Sequence, residues 1–382
     1  MLTKVNRNIH LNSPKMHYPE YQITPAEPDN RKCIVFAFDK SFVRYFSVAL
    51  SSLVEHVNES KKYDVLIFYS DISETDKKLI TRMSPTNVSI RFINVTFLVE
   101  KYFGGIKFKV YGIWSIATYY RLLIPFILRE YETVAYLDSD ICINDDIDVI
   151  FNQLLPTESA SVAGVRSAAV TIPNYDIEFF NYIRCDLKLK QPKNYFNAGV
   201  MLFNVKKIDV NNFRSEIARV TSKFDLRLLD QDLLNIIFNS SMKALPLRFN
   251  LQVSSYARIV DIVEGEIKQE ILNGIECNVI THYTSNQKPW NSDKPLFSDM
   301  WWSYAKCTPF AIDLYSKKNE SKIRYDCLLL LSENKIKLRY LFYFVTALFF
   351  SSHKTKYFRT KAQLEKIAAI KKTMEALQNP HL

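Results

Sequence analysis

Two carboxylates stand two residues apart in Asp138-Ser-Asp140, directly after the apolar run Thr133-Val-Ala-Tyr-Leu137. A strand that stops there lets both acids turn toward one hard cation such as Mg2+ or Mn2+, the charge a departing diphosphate needs beside it. The same triplet also reads as a polar turn, since Asp is common where a strand gives way to a loop. His282 follows a later apolar stretch, in Thr281-His-Tyr-Thr-Ser-Asn-Gln-Lys-Pro-Trp290. Its imidazole can be a third ligand to the same cation, with Lys288 meeting a phosphate as a point charge. The alternative is a partly buried histidine with an ordinary hydrogen bond.

Four further positions carry two readings each. Asp230-Gln-Asp232 opens a helical pattern, where acids complement the dipole and cap N–H groups, or where Asp230 or Gln231 faces a reacting sugar. Asn197-Ala-Gly199 precedes an apolar strand and is a turn, or offers Asn197 to a hydroxyl. Asp39 is a helix cap or a contact to a nucleotide base. Arg121 is a surface charge on a helical stretch, or it reaches a diphosphate.

The elements that must hold these residues alternate. Strands are expected at Cys33–Phe38, Val65–Tyr69, Val88–Val95, Thr133–Leu137, Gly199–Phe203 and Cys277–Ile280. Helical patterns fill the intervals: about Ser41 to His56, a helix capped by Ser73, Ser115 to Leu128, and one near Asp230. This order predicts an α/β fold with a mainly parallel sheet, in which ligands sit beyond the carboxyl ends of the strands. All the polar clusters above stand at such ends.

Composition narrows the class. The 382 residues suffice for one large domain or two modest ones, and 48% hydrophobic with 24% charged residues excludes a disordered chain. Seven glycines exclude a collagen-like repeat. The cysteines (Cys33, Cys142, Cys185, Cys277, Cys307, Cys327) form no C-x-x-C pair, so neither a zinc ribbon nor a thioredoxin-like site is expected, and a reducing compartment is. The first twenty residues lack the apolar core of a secretory signal, and the longest apolar run, Tyr340 to Phe350, is too short to span a bilayer. The net charge of +10 is concentrated from Lys317 onward, where 14 Lys and Arg face 5 Asp and Glu.

Taken together, Ile34-Val-Phe-Ala-Phe-Asp39, Tyr136-Leu-Asp-Ser-Asp140, Tyr195-Phe-Asn-Ala-Gly199, Leu229-Asp-Gln-Asp232 and His282…Lys288-Pro-Trp290 resemble family 8 glycosyltransferases. Within the family the chain is most similar to bacterial lipopolysaccharide α-galactosyl- and α-glucosyltransferases, over roughly Arg31 to Trp302. The resemblance implies a GT-A fold and a retaining transfer of galactose or glucose from UDP-galactose or UDP-glucose. It implies Mn2+ (or Mg2+) held by Asp138, Asp140 and His282, with Asp138 also touching the ribose. Asp39 would contact the uracil, Lys288 the diphosphate, and Arg121 the region of sugar and phosphates. Asn197, Ala198 and Asp230 would border the donor sugar, with Gln231 on its reacting face. Where the family usually has a glycine, three residues after the metal histidine, this chain has Ser285, so the loop is expected to avoid a left-handed backbone there.

Three segments follow: a lead-in at 1–30, a catalytic domain at 31–300, and a helical, basic, aromatic region at 301–382. The last is similar to the C-terminal region of outer-core enzymes and has the make-up of an interfacial anchor, basic residues for anionic headgroups and Phe and Leu for shallow insertion. It would bring the enzyme to a lipid-linked oligosaccharide acceptor on the cytoplasmic face of the inner membrane. The region lacks an arginine-rich or RNP-like pattern, so no nucleic-acid partner is expected. Another acceptor, such as a capsular glycan or a surface protein, and a non-catalytic sugar-nucleotide-binding protein are the competing readings.

Overall fold

The computed structural model describes residues 21–27, 32–111, 115–171, 176–260, 263–285, 288–291 and 295–317. All that follows concerns the compact unit that ends at Tyr315. The apolar run Tyr340–Phe350 and nearly all of the basic segment lie outside the described residues.

Strands β1 (Lys32–Ala37), β2 (Tyr63–Tyr69) and β3 (Val88–Asn94) run parallel, and β1 pairs on its other side, again in parallel, with β4 (Thr133–Leu137). The sheet continues through β7 (Phe196–Asn204), antiparallel to both β4 and β6 (Val162–Arg166), and ends at β8 (Met242–Leu245), parallel to β6. The result is a seven-stranded, mixed, mainly parallel sheet in the order β3-β2-β1-β4-β7-β6-β8, as the alternation of the sequence predicts. A second sheet of three short strands has β10 (Ile280–His282) at its centre, antiparallel to β5 (Ile141–Ile143) and parallel to β9 (Leu251–Gln252).

The central strands are apolar on both faces because both are covered. Ile34, Phe36, Ala135, Leu137, Val200 and Leu202 pack into one core. Their neighbours Cys33, Val35, Val134, Tyr136, Met201 and Phe203 pack into the other. Side chains alternate along a strand, so Asp138 leaves β4 on the side of Tyr136. That side carries the 3₁₀ segment Ile116–Leu123 and the helix Leu229–Phe238, which bring Arg121 and Asp230. The opposite side carries the helix Val43–Glu55, whose Ser52 hydroxyl accepts from Ile143 N at 2.9 Å and so fixes β5.

Two expectations need correction. The late strand is Ile280–His282 rather than Cys277–Ile280, because Cys277 instead caps the helix Gly265–Glu276. A short apolar run does not by itself separate a last helical turn from a strand. The boundary at residue 300 also falls inside the helix Ser298–Ala305. Its Trp301 and Trp302, with Phe310 and Leu314 beyond, are buried in the same core as β1 and the helix Val43–Glu55. Tyr45 stacks on Trp290 with ring centroids 3.9 Å apart, and Trp290 meets Trp301 at 5.1 Å.

At the other end of the sheet, Asp64 is fully buried on β2. Arg91 Nε donates to it at 2.9 Å and Ala26 N at 3.0 Å, with the Tyr131 hydroxyl as a further donor. Arg91 also donates to Thr24 O at 2.9 Å, so this one carboxylate ties residues 24–26 to the sheet. Removing one partner of a buried pair leaves the other without compensation. Asp64→Ala should therefore lower the unfolding free energy by about 3 kcal/mol in urea denaturation, whereas a loss below about 1 kcal/mol would mean that Arg91 finds water.

Candidate active site

β4 ends at Leu137, and the link to β5 is the Asp138-Ser-Asp140 triplet. Asp138 N continues the ladder by donating to Gly199 O at 2.8 Å, and Tyr283 N donates to Asp140 O at 3.0 Å. Pairing of β10 with β5 sets His282 opposite Ile141. The three side chains sought for a metal thus converge: His282 Nε2 lies 3.2 Å from Asp140 Oδ1 and 3.7 Å from Asp138 Oδ2. Ser139, between the acids, is buried. Asp140 Oδ1 is buried and accepts no hydrogen bond. An orphaned carboxylate oxygen costs free energy unless a cation meets it, and two carboxylate oxygens with one imidazole nitrogen suit Mn2+ or Mg2+. The residues fit such an ion.

A side chain at 199 has no room here. A Cβ on Gly199 would stand 2.1 Å from His282 Cε1 and 2.7 Å from Asp138 Oδ2. The glycine is needed for that close approach, and β7 already begins at Phe196, so Asn197-Ala-Gly199 lies within the strand rather than in a turn before it.

Lys288 bonds Asp140 Oδ2 and the Tyr283 carbonyl. Burial alone would raise the Asp140 carboxyl, but Lys288 and then His282, with the hydrogen bonds from both, together outweigh it and hold the group well below the usual carboxylate range. The stack of Tyr45, Trp290 and Trp301 seats the turn from which Lys288 extends. Ser285 has φ +61°, so the loop adopts the left-handed backbone it was expected to avoid, and the serine carries the cost that a glycine would escape.

Arg121 is 5% exposed and is no surface charge. Its Nη2 donates to Asp138 Oδ1 at 2.9 Å and its Nη1 to Ala198 O at 2.6 Å, while its Nε lies 2.9 Å from Asp230 Oδ2. The guanidinium rests over the Tyr136 ring, 4.1 Å from its centroid. Asp230 does not cap its helix; it is buried, with Thr118 donating to its other oxygen. Burial pushes its carboxyl up to about 6, with Arg121 and Thr118 offsetting part of the effect and Asp138 adding to it. Leu229, just before it, has φ +44°, a left-handed turn by a bulky residue that lets Asp230 and Gln231 enter the site on consecutive positions.

Gln231 is held from both ends. Its Oε1 accepts from Asn197 Nδ2 and from Ala198 N, each at 3.0 Å, and its Nε2 donates to the Tyr195 hydroxyl at 3.0 Å. Tyr195 donates in turn to Asp232 at 2.5 Å, which also accepts from Tyr182 at 2.6 Å and Leu228 N at 2.7 Å. Tyr195 and Asp232 stand inside recognisable motifs without a sign of this hydrogen-bonded chain, and Asn250 stands in none. Asn250 Oδ1 stands 2.9 Å from His282 Nδ1 and Asn250 Nδ2 donates to Asn197 Oδ1 at 2.8 Å. A lone asparagine after Phe249 offers no spacing or composition signal.

Asp39 emerges from β1, next to β4, at the same edge of the sheet. Its Oδ1 accepts from Ser41 N at 2.8 Å, so it caps the 3₁₀ turn Lys40–Phe42. Burial would raise its carboxyl, yet hydrogen bonds from Ser41 and Ser115 lower it overall.

The model of glycosyl transferase family 8 matches residues 33–294. Glycosyltransferase GlyB of Streptococcus pneumoniae is 28% identical over 287 residues, 72% of this chain and 62% of GlyB. The chain spans about three-fifths of the length of GlyB and of its relatives GlyF and GlyE. A lipopolysaccharide 1,2-glucosyltransferase of Escherichia coli is 23% identical over 329 residues, 84% of this chain and 88% of that enzyme. The galactosyltransferase LgtC, solved with donor and acceptor sugar analogs, superposes with a TM-score of 0.58 at 23% identity, covering 72% of this chain and 96% of LgtC. The fold is that of the GT-A enzymes.

Two outcomes follow from this geometry. Gly199→Ala should displace His282 or Asp138 and weaken Mn2+ binding by at least about 10-fold in an electron paramagnetic resonance titration, with circular dichroism unchanged. Unaltered binding would show that the crowding is relieved elsewhere. Asp230 has a folded pKa above the ordinary 3.8, so its stabilising contribution is greatest in acid and is lost as pH rises through about 6. Asp230→Asn, which mimics the neutral acid, should match the wild type near pH 4 in urea unfolding. At pH 8 it should exceed it by on the order of 2–3 kcal/mol.

Proposed function

The chain belongs to glycosyl transferase family 8, and we propose that it is a retaining enzyme that moves galactose or glucose from a UDP-sugar to a lipid-linked oligosaccharide of the lipopolysaccharide-core type. The observation that carries this reading is the convergence of Asp138, Asp140 and His282 on one point, beside Arg121, Asp230 and Gln231. The core-type acceptor is favoured by the alignment with the E. coli enzyme. At 84% of the chain it runs past residue 294, where the family match stops.

Asp138, Asp140 and His282 would hold Mn2+ or Mg2+, which when bound supplies Lewis-acid stabilisation to a departing diphosphate. Lys288 is the residue to pair with that diphosphate, and to reach it the ammonium gives up its bond to Asp140. Asp39 would meet the uracil with the oxygen that is not occupied by Ser41. Asn197, Ala198 and Asp230 would border the sugar. Arg121 holds Asp138 and Asp230 in one array.

A double displacement needs a carboxylate free to attack the anomeric carbon. Asp230 has one oxygen on Thr118 and the other against Arg121, and it is 5% exposed, so it is poorly placed as a nucleophile. This supports front-face attack. The acceptor hydroxyl enters on the side from which UDP leaves, and its proton passes to the departing phosphate oxygen. Gln231 has both lone pairs of Oε1 engaged, so its part is a fixed amide dipole near the oxocarbenium-like centre.

Among the described residues no helix is long and apolar enough to cross a membrane. Attachment to the cytoplasmic face of the inner membrane would rest on the basic, aromatic segment from Lys317 onward, with its 14 Lys and Arg against 5 Asp and Glu.

Purified protein with Mn2+ should release UDP slowly from UDP-galactose or UDP-glucose, and faster once a truncated lipopolysaccharide acceptor is added. Chelator and Asp140→Ala should each lower the rate by at least about 100-fold. Turnover that ignores both would sink the metal assignment. UDP binding with no turnover on any core acceptor would shift the reading to another glycan acceptor or to a binding protein.

A further inference from the structure

We propose that Asn250 is a positioning residue that fixes the tautomer of His282, and that the direction of its amide is set by two backbone N–H groups on β7. The inference rests on the metal reading above. Ala198 N and Gly199 N can only donate. Gly199 N meets Asn197 at 3.0 Å, so the atom it meets is the oxygen, and the Asn197 amide nitrogen must face Gln231. Ala198 N meets the same Gln231 atom at 3.0 Å, which requires Oε1 there and agrees with a nitrogen on Asn197.

The rest follows by elimination along the chain. Asn197 Oδ1 lies 2.8 Å from Asn250, and only a donor satisfies that contact, so Nδ2 of Asn250 faces it. Asn250 Oδ1 is then the atom 2.9 Å from His282 Nδ1, and an acceptor there requires the proton on Nδ1. With a cation among the three groups, Nε2 would present its lone pair to it, from a position 3.2 Å from Asp140 Oδ1 and 3.7 Å from Asp138 Oδ2. Reversing Asn197 or Gln231 would set donor against donor or acceptor against acceptor at two contacts, and reversing Asn250 would set its oxygen against Asn197 Oδ1, with Asn250 fully buried and His282 3% exposed. The two backbone groups therefore reach through Asn197 and Asn250 to aim the histidine nitrogen, while the same Asn197 holds Gln231 on the other side. Pairing of β9 with β10 is what brings Asn250, the residue before β9, to His282.

The test reads proton position and metal affinity, not turnover. Long-range 1H–15N spectra of the 382-residue chain, with and without diamagnetic Mg2+, should show His282 Nδ1 protonated in both states. Asn250→Ala should weaken Mn2+ binding about 10- to 100-fold by electron paramagnetic resonance titration. Asn250→Leu, which keeps the volume but offers Nδ1–H no acceptor, should lose as much affinity and shift the proton away from Nδ1 in the same spectra, whereas a residue needed only for packing would tolerate it. An unprotonated Nδ1 in the wild type overturns the assignment whatever the variants do, and so does an Asn250→Ala protein that binds Mn2+ as tightly as the wild type. Wild type that binds neither ion while Nδ1 keeps its proton overturns the metal reading of the site instead, so the two failures are distinguishable.

Discussion

A guanidinium that is almost wholly buried must have its charge met inside the protein, and around Arg121 that requirement organises the site. Asp138, Asp230 and the Ala198 carbonyl answer it from the end of β4, the start of the helix Leu229–Phe238 and the first residues of β7. Any one of these elements that drifted would leave a charge or a carbonyl unpaired in a low-dielectric interior. The cation also lies on the Tyr136 ring, whose hydroxyl donates to Asp138 at 2.9 Å, so the acid is steered by two groups on the same side of the sheet. The paired charges hold their place because the sheet above and the helix beside them are packed solid.

On the other side of the triplet the constraint is space and not charge. β4 and β7 run antiparallel with Leu137 opposite Val200, which sets Gly199 against Asp138 and leaves the gap that His282 fills. Here the backbone does more than connect. The N–H groups of Ala198 and Gly199 would ordinarily continue a ladder, but β7 has outrun β4 at this point and they turn to side-chain amides. The same over-extension that exposes those donors supplies the means of satisfying them.

Much of this was legible in the residues. The central strands and the sheet type follow from buried runs that end in polar clusters, while the set Asp138, Asp140 and His282 is what the family resemblance implies. What stayed hidden has a common physical cause. β5 and β9 are only three and two residues long, below any periodicity, and exist because β10 pairs with them. Asn250 belongs to no motif because its task is defined by a partner thirty-two residues away. The left-handed Leu229 and Ser285 carry residue types that argue against such a backbone, and tertiary packing overrides them. Asp230, with its place at a helix start, looked like a cap and is instead a buried counter-ion.

The order in which the chain is made gives β10 a further significance. Asn144 and Thr281 bond across 137 residues, and β10 is the last strand of the described unit to leave the ribosome. Until it pairs with β5, Asp138 and Asp140 have a carbonyl-lined strand end beside them but no histidine. Contacts of such long sequence separation form late, after the loop between them has been closed. A nascent chain halted before Thr281 would contain every strand of the large sheet and two of the three residues of the metal site, Asp138 and Asp140. The site is thus completed by a strand made late in synthesis, through pairing with one made far earlier.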